Sequence, residues 1–224
     1  MFGDNSKWIW IDNKNEKDIY AEFYSEVVYN GGEGNICISA DSNYCLYING
    51  VFIASGQYAD YPHYKVYDEI NITKHIKKGI NKIAIIVWYY GVSTFSYYVG
   101  NAALKYEISI DNKIVDCSNE NTLSRKSHAY VSGNVKYINS LLGLSFLYDA
   151  TKYDGWLTHL QNDFSKSVIV NQELPLYKSQ IKKLSLGEKV SVKQISHKNN
   201  YYLYDIGREE VGYITFKIIS NKKQ

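Results

Sequence analysis

The sequence predicts an all-β protein: a β-sandwich, followed by the first strands of a second β domain. Three observations lead there. Apolar residues recur with period two, or fill short β-branched runs, through most of the chain. Only two of the 224 residues are proline, which suits long strands whose backbone donors are all used in ladders. Aromatic residues make up 15%, with 23 tyrosines and four tryptophans, and broad flat side chains fit a pleated, half-buried surface.

Strand signals begin at Lys7-Trp8-Ile9-Trp10-Ile11 and continue from Ile19 to Tyr29, where Asn30-Gly31-Gly32 makes a turn. From Asn35 to Asp41 the alternation puts Ile36, Ile38 and Ala40 on one face, which should be buried. Asn49-Gly50 between Tyr44–Ile48 and Val51–Ala54 supplies the two positive-φ residues of a type I′ hairpin. A loop rich in Tyr, Asp and Pro runs from Gly56 to Tyr64, ahead of a strand around Lys65-Val66-Tyr67. Residues Asn71 to Gly79 read as one turn or two of helix, with a capping residue first and a glycine stop. The stretch from Ile80 to Tyr90 is apolar on nearly every residue after Lys82, so it reads as a central strand covered on both faces.

Asp111-Asn112 joins Ala103–Ile110 to Lys113–Asp116 as another hairpin candidate, and Ser127–Val131, Leu141–Tyr148 and Lys166–Val170 complete the sandwich. Glu173-Leu174-Pro175-Leu176 marks a boundary, giving a sandwich over residues 1–175 and a connector with opening strands over 176–224. In that tail, Val190–Ile195, Tyr201–Ile206 and Val211–Ile219 read as strands. So few strands make a thin core, as expected of the opening of a larger domain.

Composition excludes several functions. The 25 basic and 23 acidic side chains are dispersed, giving a net charge of +2 and no focused field for nucleic acid. No segment reaches the ~20 apolar residues of a membrane span, and the start Met1-Phe2-Gly3-Asp4-Asn5-Ser6 lacks a signal-peptide pattern, so a cytoplasmic location is expected. Cys37, Cys45 and Cys117 cannot form a closed disulfide framework and read as reduced thiols.

Several segments taken in order resemble the N-terminal, non-catalytic region of bacterial α-L-rhamnosidases. Ser39-Ala40-Asp41-Ser42-Asn43-Tyr44-Cys45-Leu46-Tyr47-Ile48-Asn49-Gly50 is similar to the family's alanine-aspartate turn, tyrosine-leucine-tyrosine strand and asparagine-glycine hairpin. Tyr67-Asp68-Glu69-Ile70 and Lys78-Gly79-Ile80-Asn81 match its next two landmarks, both shared with galactose-binding-like jelly rolls of other glycosidases. Tyr148-Asp149-Ala150, Gly155-Trp156 and Asp163-Phe164-Ser165 look like its exit segment, although Lys166-Ser167-Val168 stands where a tryptophan is expected. Tyr204-Asp205-Ile206-Gly207-Arg208 through Gly212-Tyr213 looks like the opening of its next β domain.

The resemblance implies that the sandwich is a jelly roll of the galactose-binding-domain-like type, an accessory region whose partner is a catalytic (α/α) barrel of the same polypeptide, absent from this chain. The barrel's acid and base would lie in an acidic, tryptophan-containing motif, which this sequence lacks. An inverting hydrolase needs two carboxyls about 6.5–9.5 Å apart in a rigid pocket, and no acidic residue here carries that context. No catalytic residue is therefore expected, and no cofactor.

Asp149 and Asp154 flank Trp156 but sit where aspartate usually fixes a turn. Asp205, Arg208 and Glu209 suggest a salt bridge or interdomain clamp. His63, His75, His128, His159 and His197 have no HxxxH or HExxH spacing, so no metal site is expected. Carbohydrate contact has the best physical basis, because sandwich-rim loops carry sugar-binding rings. The candidates are Tyr58, Asp60, Tyr61, His63 and Tyr64 in one loop, and Trp88, Tyr89, Tyr90, Tyr97 and Tyr98 around the other. Rings would stack on pyranose C–H faces while Asp60 or His63 bonded hydroxyls; the same rings could instead pack between domains. The expected role is to scaffold the barrel and contact a rhamnose-containing glycan, with a stand-alone carbohydrate-binding module as the alternative.

Overall fold

The structure, a computed structural model, describes residues 2–57, 60–133, 135–139, 141–182, 187–199 and 201–215. It divides into two compact units, Met1–Gln180 and Ile181–Gln224. The first holds β1 (Ile9–Trp10), β2 (Ile19–Tyr29), β3 (Gly34–Asp41), β4 (Asn43–Ile48), β5 (Val51–Gly56), β6 (Lys65–Asn71), β7 (Gly79–Tyr89) and β8 (Ala103–Ile110). It continues with β9 (Lys113–Cys117), β10 (Leu123–Lys126), β11 (Tyr137–Asn139), β12 (Gly143–Leu144), β13 (Ser165–Lys166), β14 (Val168–Ile169) and β15 (Leu176–Lys178). The second holds β16 (Lys193–Lys198) and β17 (Tyr201–Asp205).

Two sheets make the sandwich. One runs β14-β1-β8-β3-β6-β15, with β9 also on β8, and the other runs β13-β10-β2-β7-β4-β5. The longest pairing joins β2 to β7, from Ile19 opposite Tyr89 to Tyr29 opposite Gly79. The period-two alternation does its expected work: Ile36, Ile38 and Ala40 of β3 face Ala21 and Phe23 of β2, Leu46 and Ile48 of β4, and Ile83, Ile85 and Val87 of β7 in one core. The other face of β7 is covered too. Ala84 and Ile86 lie with Tyr20 under Trp156, which comes from a long segment crossing the outside of the sheet. Near the end of that crossing the chain changes sheets within a few residues: β13 pairs with β10, then β14 pairs with β1. Buried Ser167 sits at the switch, its hydroxyl donating to Ser124 Oγ at 2.8 Å.

Both hairpins form where their turn residues stand. Asn49 and Gly50 take φ of 52° and 80°, and Asp111 and Asn112 take 47° and 61°. Of the one or two helical turns expected over 71–79, a single turn forms, in which Ile72 O accepts from His75 N and Ile76 N at 2.8 and 3.2 Å. Asn81 stops it: its side chain accepts from Lys77 N and donates to Lys77 O and Gly79 O, taking the groups a helix would have used. The strand expected over Ser127–Val131 lies earlier, as β10, and Leu141–Tyr148 contributes only the short β12, paired with β11. Leu176–Lys178, read as connector, forms β15 and pairs in parallel with β6.

In the second unit β16 and β17 make an antiparallel pair, starting three residues later and ending one residue earlier than the sequence suggested. Every described residue of this pair is exposed. Residues 211–215 form no strand, and 216–219 of the expected third strand lie outside the described residues.

Candidate functional site

The loops following β5 and β7 meet at one rim of the sandwich, and a buried polar layer ties them together. Lys65 Nζ lies 3.0 Å from both Asp41 Oδ2 and Asp60 Oδ1, with all three side chains less than a tenth exposed. Asp60 also accepts from Val66 N at 2.8 Å and from Gln57 Nε2, while Gln57 Oε1 accepts from Ala40 N at 2.9 Å. On the other side Tyr97 donates its hydroxyl to Asp41. A Cβ at Gly100 would stand 2.4 Å from Asp41 Oδ2, so a larger residue there would have to displace that carboxylate. Burial pushes the Asp41 carboxyl up, against the opposing pull of Lys65, and pushes the Tyr97 phenol up as well, with Asp41 adding to it.

Upon this layer the sequence-nominated residues separate into exposed and buried groups. Tyr61 is 55% exposed and Tyr98 61%, and their ring centroids are 5.9 Å apart. His63 stacks beside Tyr61 at 5.5 Å and 25°. These three come together as an open aromatic platform. Tyr64, half exposed, stacks instead on Tyr177 of β15 at 4.2 Å and 8°. Tyr58 lies outside the described residues.

The remaining rings are packed into the sandwich and do not join the platform. Tyr89 belongs to the sandwich core, 2% exposed, with its hydroxyl on Gly100 O at 2.9 Å and its pKa pushed up to about 12 by burial and Asp41. Trp88 stacks on Tyr20 at 5.0 Å and donates Nε1–H to Asp18 at 3.0 Å. Tyr90 packs edge-on between Trp88 and Tyr97. Asp60, nominated to bond sugar hydroxyls, has both oxygens engaged within the polar layer. His63 is the exposed polar ring of the set.

A second charged cluster escaped the sequence analysis. Arg125 on β10 donates Nε to Glu22 Oε2 at 2.8 Å, Nη1 to Asp154 and Asp163 at 2.7 Å each, and Nη2 to Asp154 at 3.0 Å. Its guanidinium lies over the Phe164 ring, and Ser127 Oγ donates to the other Glu22 oxygen at 2.6 Å. Burial would lower the Arg125 pKa, but its carboxylate partners outweigh that and raise it; the same contact holds Asp154 below the usual carboxylate range. Burial, opposed by Ser127 and Arg125, raises Glu22. This cluster fastens the crossing segment to the sheet. Asp149, by contrast, caps a short 3-10 turn through Thr151 N at 3.1 Å. The clue to the clamp was the scarcity of arginine: Arg125 is one of two in the chain, and Asp163 stood in a motif already singled out.

In the second unit, Asp205 accepts from Gly207 N at 2.8 Å and Arg208 pairs with Glu210; among the described residues no ion pair joins Asp205, Arg208 and Glu209. Among the described residues no cluster of three or more His, Cys, Asp or Glu side chains could hold a metal ion, and no helix is long and apolar enough to cross a membrane.

No family model and no curated protein matches the sequence. Solved structures do match. The GH78 family rhamnosidase of Bacillus sp. GL1 superposes with a TM-score of 0.74 at 21% identity, over 82% of this chain and 20% of that one. The α-L-rhamnosidase of Dictyoglomus thermophilum gives 0.60 at 17% identity, over 79% of this chain and 22% of that one. A lectin of Pleurotus ostreatus gives 0.50 at 18% identity, over 74% of this chain and 41% of that one. The chain spans about a fifth of the length of these rhamnosidases. What this likeness establishes is the fold: a β-sandwich of the kind that forms one part of larger α-L-rhamnosidases.

Proposed function

We propose that the chain is the accessory β-sandwich region of an α-L-rhamnosidase-like glycoside hydrolase, and that it contacts a rhamnose-containing glycan without hydrolysing it. The observation that carries this is the Tyr61–His63–Tyr98 platform: three exposed rings at one rim, mounted on loops fixed by the buried Asp41–Lys65–Asp60 layer. Ring faces stack on the C–H faces of a pyranose, and His63 offers a polar edge to its hydroxyls. Asp60 serves from beneath, holding the loop, Tyr97 braces Asp41, and Trp88, Tyr89 and Tyr90 serve packing. In this proposal the hydrolytic acid and base belong to an (α/α) barrel in the same polypeptide, for which the sandwich is a scaffold.

Calorimetric titration with methyl α-L-rhamnoside tests the proposal. An open platform of this size should bind at about 1 mM, equivalent to about −4 kcal/mol, and Tyr61→Ala with Tyr98→Ala should abolish the heat without lowering Tm. Absence of any saturable signal from the parent chain, or unchanged binding in the double variant, would sink it. The likeness to the Pleurotus ostreatus lectin favours a second reading, a stand-alone carbohydrate-binding module. That reading requires full affinity from the isolated chain, whereas an accessory region gains affinity when joined to its barrel.

A further inference from the structure

Beside the Tyr61–His63–Tyr98 platform the rim carries a second pair of rings. Tyr64 and Tyr177 stack face to face, with centroids 4.2 Å apart and an interplanar angle of 8°. Stacking covers one face of each ring, yet Tyr64 stays 50% exposed and Tyr177 43%. Among the described residues the hydroxyls of Tyr61, Tyr64, Tyr98 and Tyr177 have no hydrogen-bond partner, so each can still donate and accept.

The backbone sets the two groups of rings side by side. Tyr61 and Tyr64 oppose each other as an antiparallel bridge across Pro62-His63, closed by Tyr64 N on Tyr61 O at 2.9 Å. Directly opposed residues of an antiparallel pair send their side chains to the same face, with Cβ atoms about 4.5–5.5 Å apart. Each ring then has its own partners: His63 and Tyr98 for Tyr61, Tyr177 for Tyr64. The buried ion pair of Lys65 with Asp60 brackets the turn, because Asp60 precedes Tyr61 and Lys65 follows Tyr64. One contact thus fixes the spacing of both groups.

Tyr177 is held just as firmly. Its strand β15 pairs in parallel with β6, Tyr177 opposite Val66, and Ser179 N bonds Tyr67 O at 2.9 Å. A ring placed in advance loses little conformational freedom when a ligand arrives. Successive pyranoses of a glycan each present a C–H face, and two neighbouring ring groups on one side of one turn can receive two of them. We infer that Tyr64 and Tyr177 form a second subsite, so that the rim holds two successive sugar residues, one on Tyr61–His63–Tyr98 and the next on Tyr64–Tyr177. This rests on the sugar contact proposed above and extends it from a single residue to a chain.

Calorimetry that compares methyl α-L-rhamnoside with the methyl glycosides of α-linked rhamnobiose, in each linkage, tests the second subsite. At least one bioside should bind about tenfold more tightly than the monosaccharide, the gain of one further stacking contact. Tyr177→Ala should return that bioside to the monosaccharide's affinity and leave the monosaccharide's own binding unchanged. In amide spectra of the parent chain, the bioside should add shifts at residues 176–178 to those the monosaccharide causes. A monosaccharide that binds while no bioside binds more tightly overturns the second subsite and leaves the proposed function standing. A gain that survives Tyr177→Ala, or a variant that weakens both sugars equally, overturns it as well, the latter marking the ring pair as a brace for the turn. Silence from both sugars would end the proposed function and this inference together.

Discussion

Replacing Arg125 with methionine removes one cation from three carboxylates at once, and the consequence can be worked from the structure. Glu22 and Arg125 are 1% and 5% exposed in their side chains, so deletion leaves a buried carboxylate with only the Ser127 hydroxyl at 2.6 Å. Removing one partner of such a pair costs about 3–5 kcal/mol. Asp154 and Asp163 are 28% and 44% exposed, so water replaces much of what they lose and they add at most a few tenths of a kcal/mol. The total is about 3–5 kcal/mol, or a fall in Tm of about 10–15 °C for a domain of this size.

The pH dependence gives a sharper signature. Glu22 is already raised by burial, and without Arg125 it rises further, so the folded variant holds that proton more tightly than the unfolded chain does. Its stability then falls as pH climbs from the ordinary 4.5 through the raised folded value. Asp154 works in the same sense. In the parent Arg125 depresses its pKa, a stabilisation present at neutral pH and lost as pH falls through the depressed folded value; the variant lacks it. The deficit between parent and variant should therefore be larger at pH 8 than at pH 5 in thermal melts followed by circular dichroism. Glu22→Leu combined with Arg125→Met should recover more than half of the loss, since an apolar pair of similar volume needs no counter-charge. Equal deficits at both pH values, or a loss below about 1 kcal/mol, would refute the clamp.

Other perturbations probe other parts of the molecule. Lys65→Met strands Asp41 and Asp60, both under a tenth exposed, and should cost about 3–5 kcal/mol in urea unfolding, with Asp41→Asn on the same background restoring part of it. Gly50→Ala meets a φ of 80° and a Cβ position 2.6 Å from Thr158 Cγ2, so the melt should fall by the equivalent of about 1–3 kcal/mol. Trp156→Ala uncovers Tyr20, Ala84 and Ile86 and should cost about 3–5 kcal/mol, with near-ultraviolet dichroism reporting the loosened outer face.

The local features were legible because their causes are local. Asn49-Gly50 and Asp111-Asn112 set hairpins by their own φ preferences, and the alternation from Ile36 to Ala40 named the buried face of β3 without reference to any other strand. The turn at 72–76 was legible as one or two turns but its length was not, because the groups that end it belong to Asn81, beyond the apparent glycine stop. The Arg125 clamp was hidden for a related reason: its partner Glu22 is 103 residues away in sequence, and only the antiparallel pairing of β10 with β2 brings them opposite each other. At the rim, composition marked the aromatic loops but not which rings were open. Strand parity distinguishes one pair, since Tyr89 shares the inward face with Ile83, Ile85 and Val87 while Trp88 shares the outer face with Ala84 and Ile86. The exposure of Tyr61 and Tyr98, by contrast, depends on two loops held by Asp41, Lys65 and Gln57, which no single segment displays.

The aromatic rim is most directly tested by recording amide chemical shifts of the isotope-labelled chain while methyl α-L-rhamnoside is added. Saturable changes confined to the amides around residues 60–64 and 93–100, and absent in the Tyr61→Ala, Tyr98→Ala double variant, are the expected result. Shifts centred elsewhere on the sandwich, or none at tens of millimolar sugar, would contradict it.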